Sequence, residues 1–195
     1  INEHVRPNAY VPGNWDFGHE GVEDGSALER FDALTAPTLA TNLRDAAGDQ
    51  LYDGYTLFER AGRTIGVVGM TNPYIDRMAP AFHEGKYTFD KSPRMLDATA
   101  RAAREAGADL VVAVTEIGLP WMVQAAKDFD SIDVALSAHT HEYTYDPILI
   151  VRTETVVIES GMGEALGRID LRFDGEDVFF RHVLYSFVAE APYTP

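Results

Sequence analysis

Along this chain the spacing of apolar and polar positions changes period several times, and each change predicts an element. Residues 24–31 pass from Asp24-Gly25-Ser26 into Ala27-Leu28-Glu29-Arg30-Phe31. Ser26 as N-cap with Glu29 three residues on is the capping-box pattern and predicts a short helix. Residues 38–43 are a compact apolar run, expected to form a buried strand. Residues 55–60 and 64–70 are β-rich and separated by Ala61-Gly62-Arg63, which predicts a hairpin. Residues 72–90 show no clear period and contain Pro73 and Pro80, so a long loop is expected there.

The middle of the chain is the most regular part. Ser92 is placed to cap a helix and Pro93 suits its first turn, while Met95, Leu96, Thr99, Ala102, Ala103 and Ala106 fall on one stripe and Gly107 stops it. A strand over 109–115, a helix over 120–129 and a strand over 132–137 then make a strand-helix-strand unit, which requires a parallel sheet with a right-handed crossover. Trp121 and Met122 are expected on the buried face of that helix. Beyond it, 148–152, 155–159, 168–173 and 178–187 are β runs separated by Gly161, Gly163, Gly167 and Asp174-Gly175, which predicts an antiparallel meander. A parallel first part and an antiparallel second part predict an α/β fold with two packed mixed sheets flanked by helices. No repeat, low-complexity tract or linker divides the 195 residues, so one domain is expected.

Charge narrows the partners. The formal charge is -15, from 31 acidic against 16 basic residues, and only Lys86, Lys91 and Lys127 are lysines. Such a surface repels nucleic-acid backbone and anionic membrane, so no duplex nucleic acid and no membrane partner is expected. Scarce lysine with abundant aspartate also fits a protein of a high-salt organism, and fits an ordinary acidic protein equally well. Bound divalent ions would reverse the local field whatever the net charge. With no cysteine, disulfides, thiolate metal sites and cysteine nucleophiles are excluded. No run of about 18 apolar residues is present. The chain opens on Ile1, which suggests a fragment or processed product and leaves the compartment open.

Two short segments carry candidate chemistry. Ser137-Ala138-His139-Thr140-His141 follows the apolar run 132–136. If the strand continues through it, alternate side chains point to opposite sides and the two imidazoles serve two adjacent metal ions rather than chelating one. As a loop, the same residues would be two solvated histidines. Pro12-Gly13-Asn14-Trp15-Asp16-Phe17 offers a sharp glycine turn that presents a neutral oxygen (Asn14) and a carboxylate (Asp16) together.

The Gly13-Asn14 segment and the downstream Ala138-His139-Thr140-His141 resemble, respectively, the third and fifth motifs of the calcineurin-like metallophosphoesterases, usually Gly-Asn-His-Glu/Asp and Gly-His-x-His. The resemblance is closest to the 5'-nucleotidase branch, which also contains the dimanganese thiosulfohydrolases of sulfur oxidation. Pro37-Thr38-Leu39-Ala40-Thr41-Asn42-Leu43 looks like that branch's strand ending in Ala-Asn. Arg63-Thr64-Ile65-Gly66-Val67-Val68-Gly69-Met70-Thr71 looks like its Gly-x-Lys-Ile-Gly-x-Ile-Gly-Leu-Thr. Gly107-Ala108-Asp109-Leu110-Val111-Val112-Ala113-Val114-Thr115 matches the strand that carries the fourth motif. Gly161-Met162-Gly163-Glu164-Ala165-Leu166-Gly167-Arg168-Ile169-Asp170-Leu171 matches the closing Gly-x-x-Gly-x-x-Leu-Gly-Arg.

The resemblance implies a four-layer α-β-β-α sandwich of two mixed sheets, here N-terminally incomplete and without a C-terminal substrate domain. It implies two divalent metal ions (Mn, or Mg, Zn, Fe, Ca) and hydrolysis of a small phosphoester or nucleotide by metal-bound hydroxide, in a periplasmic or extracellular setting. By position, Asn14 and His139 correspond to ligands of one ion and His141 to a ligand of the other. Glu116 stands where the fourth motif has a histidine ligand, and a carboxylate there favours hard cations such as Mn²⁺, Mg²⁺ or Ca²⁺. Trp15 replaces the histidine that follows the asparagine, and an indole donates a hydrogen bond but moves no proton. Trp at this place is also the thiosulfohydrolase pattern. Asp16 corresponds to the residue that orients the missing histidine, and His19 is close enough in sequence to replace it as acid. The first two motifs, Asp-x-His and Gly-Asp, have no counterpart, Asn2-Glu3-His4 being the nearest thing upstream. A phosphoesterase, a sulfur-ester hydrolase and a metal-poor binding module are therefore the three readings carried forward.

Overall fold

A computed structural model describes residues 6–17, 26–78, 87–175 and 177–187. After a 3₁₀ turn at Asn14–Phe17 come α1 (Ala27–Asp32), β1 (Leu43–Asp45), the hairpin β2 (Tyr55–Arg60) and β3 (Arg63–Met70), α2 (Ile75–Met78) and β4 (Tyr87–Phe89). Then α3 (Arg94–Glu105), β5 (Leu110–Thr115), α4 (Leu119–Ala126) and β6 (Val134–Ser137) alternate, before β7 (Ile148–Ile150), β8 (Thr155–Glu159), β9 (Ala165–Asp174) and β10 (Asp177–Ser186). One six-stranded mixed sheet in the order β2-β3-β5-β6-β8-β7 organises the rest; β3, β5, β6 and β8 run parallel and the two edge strands antiparallel.

Local chemistry accounts for several of these elements. The Ser26 hydroxyl accepts from the Glu29 amide at 3.2 Å and the Glu29 carboxylate accepts from the Ser26 amide at 2.7 Å, the reciprocal pair expected of a capping box. The hairpin turns through Ala61 and Gly62, both at positive φ (52° and 74°), a pair of left-handed residues that matches the twist of the flanking strands. α3 buries Leu96, Ala100 and Ala103 against Val68, Met70, Val111 and Ala113. It comes close because Gly66 has no side chain: a Cβ there would stand 3.1 Å from Ala108 and 3.2 Å from Ala103. α4 buries Met122 and Ala126 in the same core.

A second, aromatic core supports the 3₁₀ turn. The Phe17 ring lies 5.4 Å from Phe31, 5.5 Å from Tyr87 and 5.3 Å from Phe89, at tilted to edge-on angles that favour aromatic pairs. The start of the turn is tied to the sheet: the Thr71 hydroxyl donates to the Pro12 carbonyl at 2.6 Å, and Asn42 brackets Thr71 with bonds to its carbonyl and from its amide.

The α/β class with a central mixed sheet is as expected, and several details differ. Among the described residues the second layer amounts to two-stranded ribbons, β1-β4 and β9-β10. The tail is not one meander: β7 and β8 pair antiparallel, but β8 also lies beside β6 in parallel, and β9 and β10 form a separate antiparallel ribbon. Residues 38–42 are buried without forming a strand, because their backbone groups bond in turn to Tyr10, Asp53 and Gly69 instead of to one partner. The 72–90 stretch contains α2 and β4. α3 begins at Arg94, with Pro93 at the cap and no side-chain cap bond, and Ala106 lies exposed past its end. Trp121 is 65% exposed although Met122 is fully buried.

Phe17→Ala should remove the central ring of the aromatic core and lower stability by about 3–5 kcal/mol. Urea unfolding, followed as the shift in midpoint at constant m, measures it.

Candidate metal centre

β3, β5, β6 and β8 end in register, with Met70, Thr115, Ser137 and Glu159 side by side. The residues just beyond these strand ends lie at the carboxyl edge of a parallel sheet, the place where ligand-bearing loops of α/β folds gather. Glu116 follows β5 and its amide bonds to the Met70 carbonyl, while Ala138 follows β6 and bonds to the Thr115 carbonyl. The Pro12–Asp16 turn is brought to the same edge by Thr71.

Glu116 is 7% exposed. One oxygen, Oε1, sits 2.9 Å from His139 Nδ1; the other, Oε2, is buried without a partner among the described residues. Burial raises the Glu116 carboxyl above its ordinary range; His139 and the backbone of Asn14 pull it back, and Asp16 adds to the rise. Gly13 is packed between the two acids, since a Cβ on it would stand 3.4 Å from Asp16 Oδ2 and 3.8 Å from the Glu116 side chain. Asp16 closes its own turn: Oδ2 accepts from the Gly13 amide at 2.6 Å, and its carboxylate also takes the Tyr10 hydroxyl, which burial and that bond keep neutral.

The loop after β6 is held by an acid absent from the sequence-based candidates. Glu159, 1% exposed, accepts from the Ser137 hydroxyl at 2.9 Å, from Thr140 Oγ1 at 3.1 Å and from the Glu142 amide at 3.1 Å. Thr140 Oγ1 in turn accepts from the Leu119 amide at 3.0 Å and so caps α4, whose own cap residue Gly118 has no side chain. Gly118 is required there twice over: φ is +88°, and a Cβ would meet Thr140 Cγ2 at 2.8 Å. The signal in the sequence was a lone carboxylate closing the apolar run Thr155–Glu159, level with three other strand ends.

Of the residues singled out from sequence, Asn14, Asp16, Glu116 and His139 come together at this edge. His141 lies two residues on, exposed, where it shares its surroundings with the charge of Glu164. The strand-pleat argument for the imidazole pair does not apply, because β6 stops at Ser137; both histidines instead sit at positive φ, 100° for His139 and 58° for His141. Trp15 is 77% exposed. His19, like Asn2, Glu3 and His4, lies outside the described residues. Tyr143 and Tyr145 stack at 6.2 Å past His141, and the Tyr143 hydroxyl donates to Glu164, whose carboxyl this bond lowers.

Among the described residues no three His, Asp or Glu side chains stand close enough to enclose an ion. The donor chemistry nevertheless fits one: a buried carboxylate oxygen with no hydrogen bond, beside an imidazole, is what a divalent cation such as Mn²⁺ or Mg²⁺ would satisfy.

No family model matches the sequence, and no curated protein sequence matches it. Solved structures do. The sulfate thiohydrolase SoxB of Thermus thermophilus superposes with a TM-score of 0.82 at 24% identity, over 94% of this chain and 33% of that one. A 5'-nucleotidase precursor, also of Thermus thermophilus, gives 0.79 at 15% identity, over 93% and 39%. The calcineurin-like phosphoesterase YfkN of Bacillus subtilis gives 0.75 at 18% identity, over 92% and 64%. The fold is thus shared with these proteins, and the chain spans about a third of the SoxB chain and two-fifths of the nucleotidase.

Two outcomes follow from the buried acids. Glu159→Gln leaves one acceptor oxygen for three donors and should cost about 1–3 kcal/mol in urea unfolding. For Glu116, the raised folded-state pKa means that its favourable contribution is complete below the unfolded value and is lost as pH rises through the folded one. Glu116→Gln in EDTA should therefore melt higher than the unsubstituted protein at pH 8 and at the same temperature as it at pH 4, each kcal/mol being worth about 2–4 °C. An equal shift at both pH values would show that the burial cost has been misassigned.

Proposed function

Because this chain has the fold of the calcineurin-like phosphoesterases, we propose that it forms part of a metal-dependent hydrolase centre acting on a small phosphate ester. The observation that carries this reading is the pairing of Glu116 and His139, with one buried carboxylate oxygen left unpartnered at the carboxyl edge of the sheet. Glu116 and His139 would hold one divalent ion, Asn14 would add a neutral oxygen, and His141 would serve the second. When bound, such ions clamp a phosphoryl oxygen and generate a nucleophile from water at neutral pH.

The chain's own groups set limits on the rest of the chemistry. Asp16 is committed to its turn and to Tyr10, so its role is to hold the Gly13–Asn14 backbone against Glu116. Trp15 moves no proton, so the leaving group is not protonated from position 15. A second reading, hydrolysis of a thiosulfate-type sulfur ester, is supported by Trp15 and by the likeness to the sulfate thiohydrolase.

Full-length protein supplied with Mn²⁺ should release nitrophenol from p-nitrophenyl phosphate, and His139→Ala or His141→Ala should lower the rate about 100-fold or more, as expected when a site loses metal. Thiosulfate conjugates assayed in parallel separate the two readings. Absence of hydrolysis of either ester across Mn²⁺, Mg²⁺, Zn²⁺, Fe²⁺ and Ca²⁺ would overturn both.

A further inference from the structure

Around the candidate metal centre, the protons that could serve a departing oxygen are already given away. The Tyr10 hydroxyl goes to Asp16 and the Tyr143 hydroxyl to Glu164. His139 shares its Nδ1 with Glu116, and the Ser137 and Thr140 hydroxyls are bonded to Glu159. The Trp15 indole moves no proton. With His141 held as an ion ligand, none of these groups protonates a leaving group. That is an obstacle to expelling an aliphatic alcohol, which holds its proton nearly as firmly as water does. A phenol ionises at about pH 10, as a free tyrosine side chain does, and so departs readily as its anion.

The helical side of the same sheet edge has a place for such a group. A cavity of about 750 Å³ lies there, within the range of small-molecule sites. Buried Met70, Ile117 and Phe129 give it an apolar floor, and Tyr74 and Trp121 stand in its walls. On α4 the neighbouring Met122 is fully buried in the core, whereas the Trp121 indole remains 65% exposed and lines the cavity. An indole and a phenol over an apolar floor suit a carbocyclic ring, which stacks against aromatic groups. A cavity of about 150 Å³ already holds benzene, so this one has room for fused rings. His139 also lines it, so the cavity opens on the candidate metal centre.

We propose that the ester cleaved here is an aryl phosphomonoester, its carbocyclic ring lodged in this cavity against Trp121 and Tyr74 and its phosphate towards His139. Water adds to phosphorus as the bond from phosphorus to the aryl oxygen breaks, and the bonding pair leaves with that oxygen. The step balances as ArOPO₃²⁻ + H₂O giving ArO⁻ + H₂PO₄⁻, and the phenolate takes its proton afterwards from solution. Cleavage of the ester rests on the hydrolase reading; the binding of the ring does not.

The test begins with calorimetric titration of the full-length protein in EDTA. There 1-naphthyl phosphate should bind about tenfold or more tightly than glycerol 3-phosphate, because its rings leave water. Trp121→Ala, at an exposed position, should weaken naphthyl phosphate about tenfold, the upper end of what an aromatic pair contributes, and Trp121→Phe should restore most of the loss. With Mn²⁺, kcat/KM for naphthyl phosphate should exceed that for glycerol 3-phosphate or adenosine 5'-monophosphate by about 100-fold or more, the size of what a general acid supplies to esters that need one. Across p-nitrophenyl, phenyl and p-methoxyphenyl phosphate it should fall as the phenol becomes less acidic. Naphthyl phosphate binding indifferent to Trp121→Ala overturns the ring site. Aliphatic esters cleaved as fast as aryl ones, or rates indifferent to phenol acidity, overturn the assignment of the leaving group. Trp121-dependent binding without phosphate release from any ester overturns the hydrolase reading and leaves the ring site standing.

Discussion

The buried carboxylate of Glu159 is the constraint on which the candidate site depends. His139 and His141 both hold positive φ, a conformation that costs a non-glycine residue about 1–3 kcal/mol. Glu159 receives hydrogen bonds from Ser137, Thr140 and Glu142, and bonds to a charged acceptor contribute about 1.5–3 kcal/mol each. The bonds are large enough to offset the strain. Because Thr140 also caps α4, the same carboxylate couples the end of β6, the end of β8, the start of α4 and both imidazoles.

Glu116 and Glu159 are both nearly inaccessible to water, and the contrast between them separates scaffold from chemistry. Glu159 is saturated with donors on both oxygens, so nothing is left for a ligand. Glu116 meets one imidazole through one oxygen, and its other oxygen is unpaired. Burial disfavours its charge, His139 and the Asn14 backbone offset part of that cost, and a cation at the unpaired oxygen would offset more. In a chain of net charge -15, a surplus of carboxylates is no guide to which of them act; the pattern of satisfied and unsatisfied oxygens is.

Local patterns were legible where short-range physics decides. The capping box at Ser26, the Ala61-Gly62 turn and the parallel β5-α4-β6 unit are all as the spacing predicts. Glu116 and His139 were legible as candidates because they follow strands, but their mutual contact was not, since it depends on how two loops meet. Residues 38–43 read as a strand because apolar content says buried, not paired, and their bonds scatter among three partners. Trp121 read as core because periodicity assigns a face without showing that the face opens on a cavity. Glu159 was invisible as an anchor, because its donors lie 17 to 22 residues upstream, at Ser137, Thr140 and Glu142.

The expectation that a pleat sends the two imidazoles to opposite sides, to serve two adjacent metal ions, depended on a strand that ends too soon to apply it. Their surroundings differ all the same. His139 turns inward, to Glu116 and the helical-side cavity, with 24% of its side chain exposed. His141 is exposed beside Glu164, which Tyr143 also engages at the start of β9. Two departures from ordinary backbone geometry stand two positions apart, at His139 and His141, and their support has a property a pleat lacks. A strand would fix the rings only as long as its ladder continued, whereas this loop is fixed by a side chain from the neighbouring strand, so the orientation of both rings is written into one carboxylate rather than into the length of β6.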